Sequence, residues 1–132
     1  MKRLAFLLLF LLSIYSYATH NRAGEITYKY LSGNDYEITV TTYIANPTNL
    51  NTCFITVFFN ATGSDSAVFP RINGPSSTLC GTGIGDGEIV SGTNYKKNIY
   101  RGTHKFNPFD YVIWIEDPNR VGTVSYTHLT LP

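Results

Sequence analysis

Residues 24–44, GEITYKYLSGNDYEITVTTYI, decide the fold. In the first half Ile26, Tyr28 and Tyr30 share one face, while Glu25, Thr27 and Lys29 share the other. In the second half Tyr36, Ile38 and Val40 oppose Glu37, Thr39 and Thr41. Period-2 alternation of β-branched and aromatic residues marks half-buried strands. Between the two runs lies Ser32-Gly33-Asn34-Asp35, whose Gly and Asn tolerate positive φ, so the stretch predicts a β-hairpin.

Working outward, the chain keeps this character. CFITVFF (53–59) is apolar on both faces, which places it inside a sheet or between packed layers. AVFPRI (67–72) contains Pro70, which cannot donate to a ladder and predicts an edge strand. The Gly/Ser/Thr-rich stretch from Asn73 to Asn94 reads as loop, with a brief strand at Glu88 to Val90. NYKKNIYRGTHKF (94–106) and DYVIWIED (110–117) are the remaining strands; in the second, Tyr111, Ile113 and Ile115 oppose Val112, Trp114 and Glu116. No sustained 3.6-residue period appears between these elements. Short strands separated by turns predict an all-β, antiparallel, Ig-like β-sandwich.

The first 18 residues, MKRLAFLLLFLLSIYSYA, place Lys2 and Arg3 before an apolar run and end in small residues, the pattern of a secretory signal peptide. The expected product is secreted or held at the cell surface, with no membrane span after cleavage. Loss of Lys2 and Arg3 takes Lys+Arg from 10 to 8 against 9 Asp+Glu, a net charge of about −1, so nothing steers the domain toward nucleic acid or anionic lipid. In an exported chain Cys53 and Cys80 are expected to form a disulfide worth ~3–4 kcal/mol in the chain-entropy model; the alternative is two buried free thiols. The last nine residues, VSYTHLTLP (124–132), resemble the translation of a transposon adapter used in sequencing libraries. The domain is therefore expected to run from 19 to 123, with 124–132 a non-native tail and a strand beyond Thr123 left to complete the sandwich.

HNRAGEITYKYLSGNDYEITVTTY and the later INGPSS, GDGEIVSGTNYKKNIYRGTHKF and DYVIWIEDPNRVG resemble the N-terminal module of large secreted Bacteroidetes-type surface proteins that end in a gliding-motility-associated sorting domain. That module is similar to PKD-type Ig-like domains, which are structural and adhesive. The resemblance implies export to the cell surface and partnership with other domains of one large chain. Two departures stand out: FFNATGSDS (58–66) replaces the aromatic-x-GDG turn, and Phe109 stands where the PKD pattern after Pro108 has Gly.

The chemistry-bearing residues are sparse. No nucleophile elbow, His-Glu-x-x-His pair or phosphate loop is present, and His104 would need both a nucleophile and an orienting Asp110 or Glu116, so no catalytic residue and no cofactor are expected. Asp110, Glu116, Asp117 and Asn119 offer oxygen ligands for Ca²⁺, but Asp117 before Pro118 reads more simply as a turn, and no metal is assigned. Pro108, Pro118 and Tyr111 are expected to form the corners, with the Tyr111 hydroxyl bonding back to the backbone as in a tyrosine corner. Asn60-Ala61-Thr62 fits a glycan acceptor pattern, and Ser66 in Asp65-Ser66-Ala67 is the candidate O-glycosylation site. Phe54, Phe58, Phe59, Tyr95, Tyr100 and Trp114 are expected in the core; exposed together on one face they would instead suit carbohydrate. The expected function is a structural or adhesive module that binds extracellular protein or surface glycans without catalysis. The alternatives are a carbohydrate-binding accessory domain and a non-catalytic N-terminal domain of a larger secreted enzyme.

Overall fold

The computed structural model describes residues 21–45, 52–60, 65–107, 110–116 and 126–129. The hairpin forms as β1 (Asn21–Ser32) and β2 (Asp35–Ala45), closed by a Gly33-Asn34 turn in which Gly33 takes φ of 57°. That positive φ is the conformation for which the hairpin turn selects glycine. The other strands are β3 (Phe54–Phe59), β4 (Ser66–Pro70), β5 (Glu88–Ile89), β6 (Tyr95–Lys105), β7 (Tyr111–Ile115) and β8 (Tyr126–Leu129). They build two four-stranded sheets, β1-β2-β6-β5 and β4-β3-β7-β8, with every pairing antiparallel. The fold is thus an all-β sandwich, and β4 with its Pro70 lies at an edge. No helix among the described residues is long and apolar enough to cross a membrane.

Alternation in the longer strands delivers one face to the core. Ile26, Tyr36, Ile38, Val40, Tyr100 and Phe106 from the first sheet meet Val57, Phe59, Phe69, Ile113 and Ile115 from the second. Ile38, Val40, Val57 and Ile113 are fully buried, each stabilising the fold by roughly 1.5–3 kcal/mol. Gly102 is a point of close approach between the layers: a Cβ there would run into the ring of Phe69. Its bare backbone is what lets the β4 aromatic lie against β6.

Leaving β4, the chain crosses between sheets at Arg71. The Arg71 N–H donates to Cys53 O in the second sheet, and the next residue, Ile72, donates to Ile99 O in the first. Residues 85–87 return alongside 71–73, with Gly85 N–H on Arg71 O and Gly87 N–H on Asn73 O. The Asn73 amide acts as a substitute strand: it donates to Lys97 O at 2.9 Å and accepts from Ile99 N–H at 2.8 Å. The stretch read as loop is therefore held against β6 by hydrogen bonds.

Beyond the expected boundary at Thr123, the backbone of Tyr126–Leu129 pairs with β7, from Trp114↔Tyr126 to Tyr111↔Leu129. Without it the far edge of β7 would stand open, and an open edge accepts an extended segment on backbone hydrogen bonds alone. The expected signal peptide, residues 1–18, lies outside the described residues.

The Tyr100 hydroxyl donates to Thr52 O at 2.9 Å and lies 2.8 Å from Thr52 Oγ1. Burial raises its pKa above the ordinary 10.0, against the opposing pull of the Thr52 bond and the Arg71 charge. A raised folded-state value leaves stability intact below about pH 10 and removes it as pH climbs through the folded value. Tyr100→Phe is expected to cost about 1 kcal/mol at neutral pH and to flatten alkaline unfolding, as followed by circular dichroism.

Candidate functional site: the outer face of the second sheet

The same alternation that buries Val57 and Phe59 turns Phe54, Thr56 and Phe58 outward. Across the strands, Phe54 pairs with Pro70, Thr56 with Val68, and Phe58 with Trp114. Val112 lies on this face of β7 as well. Val68 is 62% exposed and Phe54 48%, while Phe58 and Trp114 are half-buried. A cluster of apolar side chains on one exposed sheet face marks an interaction surface.

This corrects the core assignment of the aromatics. Phe59 and Tyr100 are in the core, but Phe54, Phe58 and Trp114 stand on the outer face, and Tyr95 is exposed at the start of β6. The two-sided apolarity of CFITVFF was the signal. It places the strand inside a sheet or between packed layers; β3 is indeed interior to its sheet, but only one of its faces is covered and the other is open. Val68 and Val112 carry no site reading from the sequence, and Pro70 marks only a sheet edge there.

The ring geometry limits what the face can hold. Phe58 and Trp114 are direct cross-strand partners and stack with centroids 4.4 Å apart at 19°. The two rings are therefore stacked on each other across the strands, and each has one face covered by its partner. The Trp114 Nε1–H is occupied by Asn60 O at 2.9 Å, which fixes the indole beside a residue with φ of 115°. A sugar ring stacks on an exposed aromatic face, and this pair turns its faces to each other.

The remaining candidates are dispersed. His104 bonds Asp65, Nε2 to Oδ2 at 3.2 Å, and stacks on Phe59 with centroids 3.8 Å apart. Its carboxylate partner therefore comes from across the sandwich and not from Asp110 or Glu116, both of which are exposed. Ser66 opens β4 and is exposed. The Tyr111 hydroxyl accepts from the Asn107 N–H at 3.2 Å, the backbone bond expected of a tyrosine corner. Pro108, Pro118, Asp117 and Asn119 lie outside the described residues, as do Ala61 and Thr62. Among the described residues no group of three or more His, Cys, Asp or Glu is placed to hold a metal ion.

Cys53 and Cys80 are joined in a disulfide, with Cα atoms 5.5 Å apart. Such a bond is compatible with an oxidising, extracytoplasmic setting. Beside it lies the most buried charged side chain among the described residues. The Arg71 guanidinium is 0% exposed; its Nε–H donates to Gly85 O at 2.7 Å and its Nη1–H to Asn98 Oδ1 at 3.2 Å. Its Nη2 reaches Asp86 Oδ1 at 3.5 Å and Cys80 Sγ at 3.7 Å, while Lys96 Nζ shares the same Asp86 oxygen at 3.4 Å. This cluster fastens the 71–87 excursion to β6 and makes it a structural centre. No family model, curated protein or solved structure matches this chain.

Proposed function

We propose that the chain is a non-catalytic structural or adhesive module of an exported protein, of Ig-like/PKD-like type, and that it works through the outer face of β4-β3-β7. The observation that carries this reading is the apolar row of exposed Phe54 and Val68 with half-buried Pro70, flanked by the Phe58–Trp114 pair. Its mutually stacked rings, each covering a face of the other, favour an apolar protein surface over a sugar: either a neighbouring domain of the same larger chain or an extracellular protein. The disulfide and the leader-like first 18 residues support an extracytoplasmic setting.

Beads coated with the chain should adhere to cells or to immobilised extracellular protein, and Phe54→Ser with Val68→Ser should remove most of that adhesion. Both side chains are exposed, so each substitution is expected to change stability by no more than about 0.5 kcal/mol. Adhesion that survives the double variant, or capture by a glycan array instead, would overturn the assignment of this face.

A further inference from the structure

The buried guanidinium touches the disulfide itself: Arg71 Nη2 donates to Cys80 Sγ at 3.7 Å. In the disulfide that sulfur is a neutral, weak acceptor, whereas as a thiolate it is a full anion beside a fixed donor. The contact therefore strengthens as the bond opens. A cation beside a cysteine favours its thiolate and makes it the better leaving group in thiol–disulfide exchange. The charge is not cancelled locally. Arg71 and Lys96 share one Asp86 oxygen, at 3.5 and 3.4 Å, and the Asp86 side chain is 41% exposed, so two cations face one partly solvated anion.

The bond is also within reach of solvent. Both cysteines are half-buried, and their chain neighbours Thr52, Phe54, Leu79 and Gly81 are exposed. Other bonds hold Cys80 in place besides the sulfur bridge. The hydroxyl of buried Ser77 accepts from the N–H groups of Leu79 and Cys80 at 3.3 and 3.1 Å, and the Ser77 N–H donates to Ile84 O at 2.8 Å. The next residue but one in the chain after Gly83, Gly85, donates its N–H to Arg71 O and ties this turn to the backbone that carries the guanidinium. A thiolate released at Cys80 thus stays against Arg71.

We propose that Cys53–Cys80 is an exchange-active disulfide and that Cys53 is a site of S-thiolation by small thiols, with Arg71 holding the Cys80 thiolate that is released. The attacking thiolate bonds to Cys53 Sγ as the Cys53–Cys80 bond breaks, and the electron pair of that bond leaves on Cys80 Sγ. The incoming sulfur is oxidised and Cys80 is reduced. In the reverse step the Cys80 thiolate attacks Cys53 Sγ, expels the small thiolate and re-forms the bond. The inference rests on the disulfide and the guanidinium and is independent of the outer face of the second sheet.

Excess glutathione added to the oxidised full chain under native conditions tests the proposal. Samples quenched in acid during the reaction, digested with pepsin and mapped by mass spectrometry should carry glutathione on Cys53 about tenfold more than on Cys80. Asp86→Asn removes the carboxylate from Nη2 at little cost in stability, and should speed opening by about threefold. After reduction, with the fold checked by circular dichroism, Cys80 should reach at pH 6 a share of its plateau alkylation rate about tenfold larger than it does in urea. Adducts divided equally or carried mainly by Cys80, no adduct until the protein unfolds, a rate unmoved by Asp86→Asn, or the same alkylation profile in the folded protein and in urea would overturn the proposal. The adduct position is read from the oxidised fold, so it decides the matter even where the reduced chain unfolds.

Discussion

Arg71→Ala is expected to cost about 3–5 kcal/mol and to lower the melting midpoint by about 15 °C or more. The side chain is fully buried, so its removal leaves a void. It also leaves Gly85 O and Asn98 Oδ1 without a guanidinium donor in an interior that water does not readily reach. The ion pair is the lesser part. The Asp86 side chain is 41% exposed and keeps Lys96 at 3.4 Å, so solvent and a second cation already compensate it. Asp86→Asn should therefore cost less than about 1 kcal/mol. Arg71→Lys should restore only a minor part of the loss, since one ammonium cannot serve acceptors spread across a planar fork. Urea unfolding of the three variants separates the possibilities, and an Asp86→Asn penalty equal to that of Arg71→Ala would show that charge pairing, not buried hydrogen bonding, holds the excursion.

Reduction of the Cys53–Cys80 bond is the second large effect. The cysteines are 27 residues apart, and releasing that loop in the unfolded chain removes ~3–4 kcal/mol, a fall of roughly 10–20 °C in the midpoint for a domain of this size. A thermal melt with and without dithiothreitol measures it directly; an unchanged midpoint would mean that the bond adds nothing to equilibrium stability. Because Arg71 Nη2 lies 3.7 Å from Cys80 Sγ, the disulfide and the guanidinium secure the same excursion. Their effects should be non-additive, with Arg71→Ala costing less in the reduced protein than in the oxidised one.

Much of the architecture was legible because alternation is a local signal. Residues 24–44 specified their own hairpin, and the Gly33-Asn34 turn needed no tertiary information. Pro70 announced an edge through its missing N–H. The candidate site was less accessible. In β3 both faces are apolar, so periodicity cannot tell which one faces the core, and Phe58 is read into it; Trp114 is read into the core as well, although exposed Glu116 shares its face of β7. Arg71 follows a proline at the end of an edge strand and looks solvent-bound; its acceptors at Gly85 and Asn98 lie 14 and 27 residues away, a separation no local pattern spans. His104 misled for the opposite reason, since the acids near it in sequence are exposed and Asp65 meets it only after the two sheets close.

The covalent ring closed by Cys53 and Cys80 encloses all of β3 and β4. A chain pulled from its two ends carries tension through the sulfur bridge and bypasses that ring. The outward row of Phe54, Phe58, Val68 and Pro70 sits on these two sheltered strands, while its β7 members Val112 and Trp114 lie outside the loop. In an oxidising medium, mechanical load can therefore extend the flanking strands while roughly 90 Å of contour stays locked, and the apolar row on β3 and β4 remains on covalently confined chain.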